Sequence, residues 1–455
     1  VSQAGSQGSG MSRVELQAAL SLSSVYALRM LGLFMILPVF ALYAAHLEDV
    51  TPALTGLALG AYGLTQAILQ IPAGLLSDRV GRKPVIIGGL LIFAAGSLVA
   101  ALADSIYIVI LGRALQGSGA IAAAVMALTA DLTREEHRIK AMALIGMSIG
   151  LAFAAAMILG PVLNEWVGVP GIFWITVGLA LAGVLVVAFV VPHPALSRPH
   201  HEAETIPAQL GRILRHPELL RLDFGILMQH VVLTGSFVVM PLVLRDEAGI
   251  VSADHWKLYL PVLVVSVLAM LPLIIQAERK GHTKAVLLFA IGLLATAELG
   301  LYAVPVSVTS VVVLLSVFFT AVNLLEAMLP SLVSRIAPVD CRGTAMGVYS
   351  SSQFLGVFLG GTLGGVLQGL SGVHAVFLWA GLGTLVWLML AVSMKPPSRL
   401  STYLYRIKPG EKEGVSALSR QLSALQGVSE AVVVEEEGVV YLKVDKRHFK
   451  QSDLP

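Results

Sequence analysis

The sequence predicts an all-α membrane protein: twelve transmembrane helices in two pseudo-symmetric six-helix bundles, followed by a small α+β cytoplasmic domain. Three observations carry this prediction. Hydrophobic residues make up 56% of the 455 and charged residues only 13%, against roughly 25% charged in a soluble domain. Apolar runs of membrane-crossing length recur along the chain. Lysine and arginine fall almost wholly on alternate loops.

A helix needs about 20 mostly apolar residues to cross the hydrocarbon core. Such runs lie near Leu16–Tyr43, Ala53–Leu76, Val85–Ala103, Ile106–Ala130, Ala141–Leu163, Ile172–Val191, Leu222–Leu244, Leu258–Ala277, Ala285–Val304, Val308–Ser334, Ala345–Leu367 and Ala375–Met394. They are numbered spans 1 to 12. Internal glycines and prolines do not disqualify them, because neighbouring helices re-satisfy the freed backbone groups. Pro38, Pro72, Pro161, Pro241, Pro261, Pro272 and Pro330 are expected to kink their helices. Residues 1–10 are polar and Gly/Ser-rich, precede Met11, and read as an expression scar. The first apolar run is too long for a cleavable signal peptide.

Alternating the spans puts Arg79, Arg82, Lys83, Arg134, Arg138, Lys140, Arg198, Arg212, Arg215, Arg221, Arg279, Lys280, Lys284, Arg335, Arg342, Lys395 and Arg399 on one face. The other face holds only Arg245 and Lys257. By the positive-inside rule both termini are expected in the cytoplasm.

The net charge of +2 leaves no basic stripe for nucleic acid. Cys341 stands alone, so neither a disulfide framework nor a thiolate metal cluster is expected. No His-Glu-x-x-His, Gly-x-Ser-x-Gly or P-loop lysine occurs, so neither an enzyme nor a cofactor is expected. The chain divides into a six-helix bundle over 11–192, a linker over 193–221, a second bundle over 222–397 and the soluble domain over 398–455. His193, His200, His201 and His216 punctuate the linker too irregularly for a metal site, and a solvated connection is expected.

The halves repeat. Asp78-Arg79-Val80-Gly81 after span 2 is echoed by Glu278-Arg279-Lys280-Gly281 after span 8. Arg138, Ala141, Met142, Gly160, Gly168 and Phe173 correspond to Arg342, Ala345, Met346, Gly364, Gly372 and Phe377. Duplicated six-helix halves are a common plan for secondary transporters, with the substrate between them near the midplane.

Gly74-Leu-Leu-Ser-Asp78-Arg79-Val-Gly81-Arg82-Lys83-Pro84 resembles the signature loop between helices 2 and 3 of the major facilitator superfamily. Leu111-Gly-Arg113-Ala-Leu-Gln116-Gly117-Ser-Gly119-Ala120 is similar to the fourth-helix motif of its proton-coupled drug exporters. Gly160-Pro161 fits the fifth-helix antiporter motif, whereas Ala156, Asn164 and Glu165 stand where that motif prefers glycine. The resemblance implies alternating access, usually as a monomer in a bacterial inner membrane, with a small-molecule substrate and protons as partners. In the signature loop, Gly74 and Gly81 permit close approach and a tight turn. Asp78, at a helix end, can accept from a neighbouring helix N-terminus or pair with a basic residue. Such contacts would latch the cytoplasmic side shut. Arg79, Arg82 and Asp131 are expected in the same charge cluster.

Ionisable groups inside spans are few: Arg29, Arg113, His230, Glu298 and Glu326. Each is costly there, roughly 2.5–3.5 kcal/mol on insertion scales. Glu326, expected to be buried in span 10, is the candidate proton carrier, working against Arg113 or the substrate. His230 can titrate near neutral pH. Asn323 lies one turn before Glu326 on the same face. Arg29, Gln66, Gln70, Gln116, Gln229, Tyr349 and Gln353 are the other groups expected to line the cavity, whereas Glu298 is expected to be a structural partner. Glycines 343, 347, 356, 360, 361, 364 and 365 give span 11 a small-residue face suited to close, sliding packing.

After Lys395 the pattern becomes that of a soluble domain. Tyr403–Ile407, Ala431–Glu435 and Val439–Asp445 read as strands, with a helix over Glu413–Leu425. The β-α-β-β order resembles a ferredoxin-like unit of the heavy-metal-binding kind, and the sequence stops at Pro455, too soon for a full second helix and fourth strand, so a truncated domain is expected. Its loop after the first strand, Lys408-Pro-Gly-Glu-Lys-Glu, has no cysteine, which excludes thiolate metal binding and leaves regulation or a partner contact. The chain as a whole therefore reads as a proton-driven exporter of small organic compounds. Uptake or exchange of a sugar or metabolite, and a non-transporting membrane sensor, are the competing readings.

Overall fold

The computed structural model of the protein describes residues 10–193, 209–338, 341–395, 400–406, 422, 425–434 and 439–445. Among these described residues, eleven helices are long and apolar enough to cross a membrane. One of them, Glu135–Leu185, has 51 residues, about 76 Å at 1.5 Å per residue. That is more than twice the thickness of the hydrocarbon core, about 30 Å. It breaks at Gly168 (φ 67°, ψ 177°) into spans 5 and 6, which restores the expected twelve.

The other spans are Arg13–Phe34, Pro52–Val80, Arg82–Ala101, Ile106–Leu132, Pro217–Asp246, His255–Lys280, Thr283–Ala303, Val308–Ile336, Arg342–Ser371 and Val373–Val392. Their starts are set by local chemistry. The Ser12 hydroxyl accepts from the Glu15 N–H while the Glu15 carboxylate accepts from the Ser12 N–H, and Thr51 caps span 2 ahead of Pro52.

Two spans depart from the sequence reading. Span 1 ends at Phe34 instead of running to Tyr43, and a short helix, Phe40–Ala44, resumes past Pro38. Proline removes a backbone donor and pushes the preceding residue out of the helical region. Span 4 is split into Ile106–Ser118 and Ala122–Leu132. That interruption frees the Gly119 carbonyl, which becomes a side-chain acceptor.

The internal repeat is visible in the backbone. Gly81 (φ 104°) and Gly281 (φ 72°) turn the chain after spans 2 and 8, and Gly168 (φ 67°) and Gly372 (φ 85°) turn it before spans 6 and 12. These are the pairs that the sequence repeat aligns, and each needs the left-handed φ that glycine adopts without strain.

The halves meet along spans 2 and 11. Gly56, Gly60 and Gly63 face Gly361, Gly365, Phe358 and Phe354 so closely that a Cβ on Gly361 would lie 2.8 Å from the Gly60 nitrogen. The glycine face of span 11 thus packs as expected, against a counterpart on span 2 that the sequence reading overlooked. Glycines 356, 360 and 364 turn the other way, onto Leu227, Val231 and Gly235 of span 7. This seam lies toward the Pro52 end of span 2. Gly63 stands fifteen residues from Asp78, about 22 Å along the helix.

Beyond the spans, β1 (Leu400–Arg406), β2 (Val428–Val434) and β3 (Val439–Asp445) form an antiparallel sheet of order β1-β3-β2. Val440, Leu442 and Val444 pack beneath it with Leu422. The three strands match the expected ones within a few residues. The loop after β1 and most of the expected helix lie outside the described residues, as do His200 and His201.

Candidate transport site

The N-terminal half holds two buried guanidiniums about one tyrosine ring. Arg29 of span 1, wholly buried, donates to Gln66 Oε1 (2.9 Å) and to the Gly119 carbonyl (3.0 Å) at the break in span 4. Gln66 passes the polarity on, its Nε2 donating to Gln70 Oε1 at 2.7 Å. Arg113 of span 4 donates to Gln116 Oε1 (2.6 Å) and to the Ala58 and Leu59 carbonyls of span 2 (3.3 and 3.4 Å). Gln116 in turn donates to Ser97 Oγ at 2.7 Å. The Tyr62 ring takes both cations, 5.7 Å from Arg29 and 5.3 Å from Arg113, and Phe93 takes Arg29 at 5.3 Å. None of these partners is a carboxylate.

The C-terminal half is the reverse. Glu326 of span 10 accepts from Gln229 Nε2 of span 7 (2.8 Å) and from Gln353 Nε2 of span 11 (3.2 Å). His230 sets its Nδ1 3.2 Å from the Ile226 carbonyl, so that nitrogen carries the hydrogen. Its Nε2 then accepts from Gln353 Nε2 at 3.0 Å. One amide thus bridges His230 and Glu326. In this arrangement His230 is neutral and positions Gln353.

The structure corrects three expectations. Glu326 is exposed instead of buried. An apolar helix sequence signals burial, but the exposed side of span 10 here faces spans 7 and 11, and the halves close tightly only toward the other end. Arg113 and Glu326 are not brought together, because Arg113 is spent on span 2 carbonyls and Gln116. Asn323 also turns away from Glu326 and donates to Ser266 Oγ of span 8 at 3.0 Å. Glu298 is buried and accepts from Ser236 Oγ of span 7 at 2.7 Å, the structural pairing expected of it.

At the signature loop Arg82 is the centre. It pairs with Asp78 and with Asp131 (3.4 Å) and donates to Ser77 Oγ (2.8 Å). A Cβ on Gly74 would stand 3.0 Å from that of Ala123, so glycine lets span 2 approach span 4. Arg79 is exposed at the helix end. The charge cluster therefore forms through Arg82 within one half. In the linker, His216 caps the Leu219 N–H and His193 lies 3.5 Å from Lys83. No group of three or more His, Cys, Asp or Glu side chains suited to a metal occurs among the described residues.

Sequence reasoning missed Asp223. Span 7 starts at Pro217, so Asp223 lies inside the helix and 6% exposed. Read from Leu222, it looked like a helix end. It also missed Tyr62 and Phe93, whose aromatic character alone does not distinguish them from ordinary core.

Two repeated six-helix halves, with polar groups buried or gathered inside each bundle, define a membrane transporter of the twelve-span type. A sequence model of the Major Facilitator Superfamily matches residues 22–323 and 222–403, and the chain belongs to that superfamily, whose members are transporters and not enzymes. It is 46% identical to the inner membrane transport protein YajR of Escherichia coli (strain K12), over 97% of this chain and 96% of that protein. It is 28% identical to the multidrug resistance protein MdtH of Aeromonas hydrophila, over 79% of this chain and 88% of that one. Among solved structures, a bacterial homologue of the human lysosomal transporter Spinster covers 84% of the chain and 97% of its own length at a TM-score of 0.66 and 15% identity.

Proposed function

We propose that the protein exports small organic compounds across the bacterial inner membrane by alternating access, driven by proton entry, with both termini in the cytoplasm. The observation that carries this reading is the setting of Glu326. It is exposed on the side of span 10 that faces the other helices, and its partners are neutral amides. A carboxyl held by amides gains or loses a proton without breaking an ion pair, which suits a carrier group. The relation to an inner membrane transport protein and to multidrug resistance proteins supports export and its location.

In this reading Arg29, Gln66, Gln70, Gln116, Gln229, Asn323, Tyr349 and Gln353 frame the path between the halves, Arg113 and His230 hold their neighbours in place, and Arg82 with Asp78 and Asp131 is half of a latch. The latch closes when Asp78 trades its bond within the half for a neighbouring helix N-terminus. The C-terminal sheet, with β3 between β1 and β2, is the arrangement of a split β-α-β unit, and we read it as ferredoxin-like. The test is counterflow and proton uptake in liposomes against a panel of amphipathic compounds. Substrate movement that dissipates an imposed proton gradient, and that loses this coupling in Glu326→Gln, is the expected result. Flux independent of the gradient favours facilitated exchange, and binding without flux favours a sensor.

A further inference from the structure

Spans 3 and 9 begin alike. The second residue of each helix is a lysine, Lys83 in Arg82–Ala101 and Lys284 in Thr283–Ala303. A cation in the first turn of its own helix is disfavoured by the helix dipole. The positive-inside bias asks only for basic residues nearby, and Arg79, Arg82, Arg279 and Lys280 already supply them. Each lysine reaches away from its own helix to the end of the sixth helix of its half. Lys83 Nζ donates to the Val191 carbonyl at 2.6 Å, and Lys284 Nζ donates to the Val392 carbonyl at 2.8 Å. Both contacts join residues 108 apart in the chain. Val191 closes span 6 after a final π turn, Val186–Val190, and Val392 is the last residue of span 12. The last carbonyls of a helix have no partner within it, and the dipole favours a cation there. Each contact thus carries a charge from the unfavourable end of one helix to the favourable end of another.

The residue before each lysine reaches a different neighbour. Arg82 donates to Ser77 Oγ at 2.8 Å, and Thr283 Oγ1 donates to the Ala277 carbonyl at 3.2 Å. Ser77 and Ala277 both stand four residues before the turn glycines, Gly81 and Gly281. Lys83 follows its glycine by two residues and Lys284 by three, so the contact is kept in space despite a shift in the chain. In both halves, then, the first two residues of the third helix form a corner with two prongs. One holds the end of the second helix, and the other holds the end of the sixth.

The segments that leave from the sixth helices give the second prong its use. The linker departs from Val191, and His193 lies 3.5 Å from the same Lys83 ammonium. The C-terminal sheet begins at Leu400, eight residues beyond Val392, a connection that reaches at most about 29 Å. We propose that Lys83 and Lys284 are positioning residues that fix the roots of the linker and of the C-terminal sheet to these corners. A shift of the signature loop then reaches the linker through Lys83, and a shift of the Gly281 turn reaches the sheet through Lys284. Nothing in this depends on the direction of transport or on protons.

Amide hydrogen exchange of the purified full-length protein, read by mass spectrometry, tests it. Lys83 is buried, and Lys83→Met should speed exchange over residues 186–192 about tenfold, as loss of a charged donor predicts. Lys284 is half-buried, and Lys284→Met should speed exchange over 389–394 about threefold. Neither substitution should alter the other end. Lys83→Arg and Lys284→Arg keep a donor and should stay near the parental rates. Lys284→Met should also raise tryptic cutting at Arg399 about threefold, which Lys83→Met should not do. Unchanged exchange at both ends would leave the lysines as topology charges and overturn the proposal. A rise spread equally through both halves would overturn it too, by marking a general loss of stability. Faster exchange over 389–394 with unchanged cutting at Arg399 would overturn the assignment to the sheet. If circular dichroism shows Lys83→Met misfolded, the half-buried Lys284 decides.

Discussion

The two halves carry the same fold and opposite chemistry. In the N-terminal half, the charge buried around the Tyr62 ring is positive: Arg29 and Arg113 donate to backbone carbonyls and glutamines and stack on Tyr62. In the C-terminal half the charges are acids: Glu326 held by amides, Glu298 by one serine, and Asp223 by nothing. A guanidinium does not give up its proton in a protein, so the first half works as a fixed cationic framework. A carboxyl can, so on the proton-driven reading proposed above the second half is where protonation would act. Duplication supplied the scaffold, and the inward-facing residues set the division of labour.

Substitutions at four positions break or sharpen that contrast, all read by thermal or denaturant unfolding in detergent. The largest expected loss is for Arg113→Met, about 3 kcal/mol or more, because hydrogen bonds from a charged donor are worth about 1.5–3 kcal/mol each. Arg113→Lys keeps the charge and loses the fork, and should recover only part. Were Arg113→Met as stable as the parent, the framework role would be wrong. Next comes Gly361→Val at the seam between the halves, expected to lose about 1–3 kcal/mol through overpacking against span 2. Its transport should fall with it, since the seam then cannot close, and unchanged flux would argue that spans 2 and 11 are not the moving contact. Ser236→Ala removes the one donor seen at Glu298 and should lose about 1 kcal/mol. A larger defect in proton coupling than in stability would move Glu298 from structural partner to carrier. Glu326→Gln should change stability least, within about 0.5 kcal/mol, because the side chain is exposed and an amide fits among amides. A destabilisation comparable to that of Arg113→Met would erase the difference between the halves.

Much of this was legible from residues. Spans 2, 3 and 7 to 12 follow from apolar length, and the charge cluster at Arg82 and Asp131 was foreseen from Asp78-Arg79-Val80-Gly81-Arg82. Glutamines 66 and 70 were placed on one face by spacing and are bonded to each other. What failed, failed for identifiable reasons. Hydropathy cannot distinguish a carboxyl facing a cleft from one facing packed helices, so Glu326 was read as buried. It cannot locate a helix start to within a turn, so Asp223, next to the start of a span read from Leu222, was not counted among the buried ionisable groups.

The sequence by itself determined the number of spans, the two-fold repeat and the superfamily, because these depend on local length, period and motif. Even the breaks at Gly168 and Gly372 follow from glycine's access to positive φ. Only the tertiary structure decided the pairings: Arg113 with span 2 carbonyls instead of Glu326, His230 with Gln353, and Asp223 buried with no hydrogen-bond partner. Those depend on how helices distant in the chain are rotated and stacked. Span rotation is set by packing such as the glycine seam, where side chains are absent and backbone meets backbone.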